Sequence, residues 1–152
     1  MQLFQAQVSR IKDLTHDVRE LELSLVDPRE IQFKAGQWIS LDVWDPRRGQ
    51  HVQRQYSIAS PPSQAQQITL LFNRVPNGPG SSYLFSVHEG DLLKLQGPNG
   101  SFYLQEKPGR DLVLVATGTG IAPFRSILYT FLEQPEAGTL TLYWGLRSQR
   151  DL

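Results

Sequence analysis

Cysteine is missing altogether from these 152 residues, and methionine occurs once. That absence excludes disulfide staples, cysteine nucleophiles, thiolate zinc sites and any iron–sulfur cluster ligated by the chain itself. Net charge is missing too, because 15 acidic side chains balance 15 basic ones. A nucleic-acid binder concentrates Lys and Arg, so that class is set aside. No apolar run approaches the roughly 20 residues of a membrane helix. The opening Met1-Gln2-Leu3-Phe4-Gln5 has no basic stretch leading into an apolar one, and no signal peptide is expected. His16, His51 and His88 stand far apart, without metal-ligand spacing. Nucleophilic hydrolase motifs and paired acids are absent as well. What is present, at 39% hydrophobic, suffices for a core. The length suits one domain, or one domain and part of a second. The expectation is a cytoplasmic chain whose chemistry comes from ordinary side chains or a borrowed cofactor.

The first hundred residues carry short strand signals. Val18 to Leu25 alternates, with Val18, Leu21, Leu23 and Leu25 apolar. Trp38 to Trp44 alternates too, Ile68 to Val75 does so more loosely, and Leu92 to Gln96 is another short run. Turn signals separate them: Asp27-Pro28, Ala35-Gly36, Asp45-Pro46, Pro61-Pro62, Pro76-Asn77-Gly78 and Asn99-Gly100. This spacing predicts an antiparallel barrel or sandwich, interrupted by one short helix over Ser81 to His88.

After Lys107-Pro108-Gly109 the pattern changes. Leu112-Val113-Leu114-Val115-Ala116 is a continuous apolar run, which predicts a strand buried on both faces in a parallel sheet. The glycine-rich turn Thr117-Gly118-Thr119-Gly120 follows, then helical spacing from Ile121 to Leu132 with Pro123 in the first turn. Thr139 to Trp144 predicts a second strand, completing a strand–helix–strand crossover. Ser148 and Asp151 have the spacing of a capping box and predict a helix start. A lone crossover cannot cover both faces of its sheet, so the chain is expected to be a fragment or to need a partner.

Arg54-Gln55-Tyr56-Ser57 ends one strand and brings a cation, an aromatic face and a hydroxyl within four residues. Along an extended strand Arg54 and Tyr56 share a face. The set suits a ligand that is both flat and phosphorylated, since a guanidinium forks onto phosphate and a phenol ring stacks on a heterocycle. The same four residues also read as a surface arginine, a half-buried tyrosine and a turn serine. Gly78 and Gly80 read equally as a plain hairpin loop.

Arg54-x-Tyr56-Ser57 resembles the flavin motif of the ferredoxin–NADP reductase family. Four further segments resemble that family in its own order: Gly78-Pro79-Gly80-Ser81-Ser82, Gly97-Pro98-Asn99-Gly100-Ser101-Phe102, Gly118 to Arg125, and Tyr143-x-Gly145-x-Arg147 with Asp151. The resemblance implies a β-rich chain. A six-stranded antiparallel Greek-key barrel that binds FAD would occupy residues 1–107. The first β-α-β unit of a truncated α/β domain for NADH or NADPH would occupy 108–152, leaving the nicotinamide site incomplete in this chain. It implies that Arg54 contacts the FAD diphosphate, Tyr56 stacks on the isoalloxazine and Ser57 bonds near the reactive nitrogen, with Gln55 between them. It implies that Leu71, Phe72 and Asn73 touch the flavin through backbone atoms, with Arg74 as an outlying contact. Gly78, Gly80, Ser81 and Ser82 would offer amides to the pyrophosphate, in keeping with a helix N-terminus. Gly118, Thr119 and Gly120 would abut flavin and nicotinamide, with Thr119 nearest the hydride path.

The Gly118-x-Gly120 turn departs from the ordinary dinucleotide fingerprint. Pro123 replaces the third glycine, and no acid stands about 20 residues on. Arg147 reads either as a contact to the adenosine ribose or its phosphate, or as a solvated loop charge. Pro46-Arg47-Arg48 reads as a solvated turn, or as a steering patch for an acidic electron partner. The function expected is hydride uptake from a nicotinamide by FAD and electron release to a ferredoxin or another iron–sulfur protein. Its alternative is a non-catalytic FAD-holding electron-transfer subunit docked to a larger enzyme.

Overall fold

The computed structural model describes residues 2–104, 111–133 and 138–151. Six strands come first: β1 Gln2–Asp13, β2 Val18–Asp27, β3 Trp38–Asp45, β4 Gln50–Ser57, β5 Gln67–Asn73 and, after helix α1 at Pro79–Ser86, β6 Leu92–Asn99. Their order in the sheet is β4-β3-β6-β1-β2-β5, every pair antiparallel, with β6 returning to lie between β1 and β3. The sheet curls until its two edges touch at one bridge, Ile58 with Leu70, backed by the Ala59 amide donating to the Thr69 carbonyl at 2.8 Å. The predicted barrel is the observed one.

Alternation decides which face goes inward. Phe4, Ala6 and Val8 from β1, Leu21, Leu23 and Leu25 from β2, and Ile39, Leu41 and Val43 from β3 meet Ile68, Leu70 and Phe72 from β5 and Leu93 and Leu95 from β6. Each large apolar side chain so buried contributes on the order of 1.5–3 kcal/mol. Leu84 of α1, fully buried, and Val87 beyond it join the same cluster, so the helix packs against the barrel. The helix starts at Pro79, earlier than Ser81, because proline suits a first turn. Strand β5 stops at Asn73, short of Val75, because the Val75 amide leaves the ladder to donate to Ser81 Oγ at 3.0 Å.

The second unit is β7 Leu112–Thr117, a 3₁₀ turn at Gly118–Gly120, α2 Ile121–Leu132 and β8 Leu140–Gly145. The two strands pair in parallel, Leu112 against Leu140 through Thr117 against Gly145. One expectation is corrected here. Leu114 and Ala116 are buried, but Val113 and Val115 are 64% and 66% exposed, so β7 is covered on one face only. Helix α2 supplies that cover and no other described element reaches the opposite face. The boundary placed between residues 107 and 108 lies outside the described residues. At Ser148 the amide donates to Asp151 Oδ2 at 3.0 Å, the reciprocal arm of the predicted cap, and the element there is a 3₁₀ turn over Gln149–Asp151.

Candidate functional site

Beyond the Ile58–Leu70 bridge no pairing joins β4 to β5 among the described residues. Residues Arg54–Ser57 and Leu71–Asn73 instead wall a cleft of about 410 Å³, closed by the Gly78–Ser81 loop and by Thr119 and Gly120. Strand pairing puts Arg54 opposite Leu41 and Tyr56 opposite Ile39, so both side chains share one partly buried face. The Arg54 Nη1 donates to its neighbour's carbonyl, Gln53 O, at 2.9 Å. No described carboxylate lies within ion-pair distance of it. A guanidinium in a cleft without a counter-ion is a ready partner for an anion.

Helix α1 begins directly on these two side chains. A Cβ added to Gly80 would stand 2.4 Å from Tyr56 Oη and 2.9 Å from Arg54 Cγ, so only glycine allows the approach. Within the loop, the Gly78 amide donates to Val75 O and the Ser82 amide to Gly78 O, both at 2.9 Å. Ser81 Oγ is engaged with Val75 and Gly78 backbone atoms. The amides of Gly80 and Ser81 carry no internal bond among the described residues, and they point out of a helix N-terminus beside Arg54. Two amides and a guanidinium form a donor set matched to a diphosphate.

The aromatic part is equally fixed. The Tyr56 ring stands edge-on to Phe72 at 5.6 Å, and Phe72 edge-on to Phe85 at 5.6 Å. Burial pushes the Tyr56 hydroxyl up to about 12 against the opposing pull of Arg54, so the phenol is neutral throughout the working range.

A second, larger and more apolar cleft of about 720 Å³ adjoins the first. Leu71, Asn73 and Thr119 belong to both walls. Thr119 Oγ1 donates to Asn73 Oδ1 at 3.1 Å, a bond from the glycine turn to the barrel edge on the partition between the clefts. The cleft opens at the C-terminal ends of β7 and β8, where parallel sheets bind ligands. Trp144 Nε1 holds the turn through Gly118 O at 3.0 Å. Gly118 has φ +49°, and a Cβ there or at Gly120 would meet nothing within 4 Å, so the turn faces open space. Across the cleft Arg147 Nη2 contacts both carboxylate oxygens of Asp17, at 2.9 and 3.1 Å.

The structure thus brings Arg54, Gln55, Tyr56, Ser57, Leu71, Phe72, Asn73, Gly78, Gly80, Ser81, Thr119 and Gly120 to the first cleft. Gly118 and Arg147 line the second. Ser82 lies one position further along α1, exposed and off both walls. Arg74 stacks over Phe85 at 4.3 Å instead of lining a cleft, and Arg47 and Arg48 sit in the β3–β4 turn around Asp45. Sequence reasoning missed Val75, Ala122 and Pro123 in the first cleft and Thr15, Asp17 and Trp144 in the second. Pro123 stood inside a quoted motif. Asp17 had no local signal, because its partner is 130 residues away. Among the described residues no metal-ligating cluster occurs and no helix is long and apolar enough to cross a membrane.

A barrel whose open seam faces the glycine turn of a parallel α/β unit defines a class of nucleotide-handling redox domain. The chain belongs to the oxidoreductase FAD-binding domain family, whose model matches residues 5–103, and residues 114–152 match the oxidoreductase NAD-binding domain. It is 36% identical over 149 residues to ferredoxin--NADP reductase B of Sorangium cellulosum, covering 98% of this chain and 60% of that protein. It is 35% identical over 151 residues to the ferredoxin--NAD(P)(+) reductase component of the Pseudomonas putida naphthalene 1,2-dioxygenase system, covering 99% of this chain and 44% of the relative. A ferredoxin NADP+ reductase from Neisseria gonorrhoeae with bound FAD and NADP superposes with a TM-score of 0.81 at 28% identity, covering 100% of this chain and 61% of that one. The chain therefore spans less than two thirds of the length of these relatives.

Proposed function

We propose that this chain is the FAD-holding part of an oxidoreductase that takes hydride from NADH or NADPH and passes electrons to a ferredoxin or another iron–sulfur protein. One observation carries the reading: the two clefts share Leu71, Asn73 and Thr119, so a flat ring seated in the first and a nucleotide entering the second meet at one partition. Arg54 and the free amides of Gly80 and Ser81 would hold the FAD diphosphate. Tyr56 would stack on the ring system, Ser57 and Gln55 would bond its polar edge, and Leu71, Phe72 and Asn73 would line its other side. Gly78 and Ser82 act by shaping the loop, since their amides are internally bonded. Gly118, Thr119 and Gly120 would flank the nicotinamide, and Arg147 the rest of the dinucleotide. When bound, the flavin supplies the hydride and electron chemistry, and the protein supplies binding, orientation and electrostatics.

The two units are assigned to residues 1–107 and 108–152, in a cytoplasmic setting consistent with a chain that uses no disulfides. With no cysteine in these 152 residues, an iron–sulfur acceptor would be carried elsewhere. The test is a visible spectrum of the purified chain with the released cofactor identified after denaturation, followed by anaerobic addition of NADH or NADPH to the full-length protein. A flavin band, released FAD and bleaching by nicotinamide are expected. FAD without bleaching would favour the non-catalytic electron-transfer subunit. A colourless protein that added FAD does not stabilise would overturn both readings.

A further inference from the structure

The larger cleft carries three charged side chains among its described lining residues, Asp17, Arg147 and Asp151. Arg147 is the single guanidinium, and both acids hold it: Asp17 at 2.9 and 3.1 Å and Asp151 Oδ1 at 3.5 Å. Asp17 is fixed from its other sides. The Thr15 hydroxyl donates to its carboxylate at 2.8 Å, and its carbonyl accepts from the Arg74 amide at 2.6 Å. Neighbouring cations are committed as well: Arg19 to Asp13, Arg125 to Glu20 and Arg74 to the Phe85 ring.

NADPH differs from NADH by one phosphate on the adenosine ribose, a group carrying roughly −1.5 to −2 charge near neutrality. Dinucleotide sites that accept this phosphate offer an available arginine, whereas sites for the plain ribose offer an acid that accepts from its hydroxyl. Here the arginine would have to leave two carboxylates, and the phosphate would then stand against both. A ribose diol meets no such conflict, because its hydroxyls donate to carboxylate lone pairs that the ion pair leaves open.

Resting on the function proposed above, we infer that this chain selects NADH over NADPH, and that Asp17, which the barrel contributes, is a specificity-determining residue. The contact of the extra phosphate with two partly exposed carboxylates corresponds to about tenfold in Kd.

The test uses the full-length protein loaded with FAD and measures equilibrium binding of NAD+ and NADP+ by flavin difference spectra, beside anaerobic bleaching by NADH and NADPH. The expected result is NAD+ bound about tenfold more tightly. Asp17→Asn, which releases one hold on Arg147, narrows that ratio chiefly by tightening NADP+. Arg147→Ala, which leaves both carboxylates uncompensated, widens the ratio by weakening NADP+ more. Tighter NADP+ binding by the unaltered protein overturns the inference, as does a ratio that Asp17→Asn leaves unchanged. If FAD is retained but neither nucleotide binds, this inference and nicotinamide use both fail while the flavin site stands. If FAD itself is not held, the underlying reading fails first.

Discussion

In the barrel, β1, β2, β3, β5 and β6 each turn a face of apolar side chains into one closed core, and Leu21, Leu23, Ile39, Leu70 and Leu95 are at most 1% exposed. In β7 the same alternation covers Leu114 and Ala116 and leaves Val113 and Val115 in the open. The second unit meets the first through polar contacts, Thr119 to Asn73, Arg125 to Glu20, Arg147 to Asp17 and Ser126 Oγ to Ser60 O at 2.7 Å, and through the Phe102–Phe124 ring pair at 5.4 Å. The contrast separates two kinds of site. Arg54, Tyr56 and Gly80 stand on the buried scaffold, which suits a cofactor held through many turnovers. The second cleft lies between the two units and is open to solvent, which suits a ligand that must enter and leave.

The largest expected effect breaks the barrel side of this contrast. Leu70→Ala removes a fully buried side chain at the bridge that closes the seam, and should cost about 2–5 kcal/mol in denaturant unfolding. Val113→Thr should stay within about 0.5 kcal/mol, because its side chain already faces solvent. Equal losses at the two positions would mean that both faces of β7 are covered in solution, and the contrast would collapse.

Two substitutions sharpen the cofactor side. Arg54→Ala removes a charge-assisted bond worth roughly 1.5–3 kcal/mol and should raise the FAD Kd by about ten- to a hundredfold. Tyr56→Phe keeps the stacking face and should change it much less, and a flavin titration giving the reverse order would sink the assignment. Gly80→Ala forces a methyl against Tyr56 Oη. An overpacking cost of about 1–3 kcal/mol is expected there, read both as lost stability and as weakened FAD binding. Stability lost with FAD affinity intact would mean that the helix start does not face the cofactor.

How much of this was legible in the sequence follows the same division. Patterns that repeat along the chain were readable: β2 and β3 from alternation, α2 at Ile121–Leu132 from its helical spacing, and most of the first cleft from contiguous motifs. Strand β1 gave a weak signal, because Ala6 is small and glutamines flank it. The double burial expected of β7 failed because an apolar run records the side chains and not what covers them. Asp17 was invisible because its role comes from pairing across the two units, and Trp144 because its bond to Gly118 joins residues 26 apart. Ser82 stands off both walls, and a motif does not reveal which amides the loop itself consumes.

The smallest expected effect tests the tie at Asp17. The Thr15 hydroxyl and then the Arg147 guanidinium hold its carboxyl below the usual carboxylate range. A depressed native pKa contributes stability that is present above the unfolded value of about 3.9 and is lost as pH falls through the native value. Thermal midpoints of the chain and of Asp17→Asn should therefore differ by a small amount near pH 5 and converge below about pH 4. Asp13, depressed by its bond to Arg19, titrates in the same acid range in both proteins and cancels in the difference. Because the Arg147 end of the pair is exposed, added salt should shrink the gap as acid does. A gap unchanged by acid and salt would show that Asp17 acts through its backbone bond to Arg74 and the Thr15 turn, and that the two units are not held together there by charge.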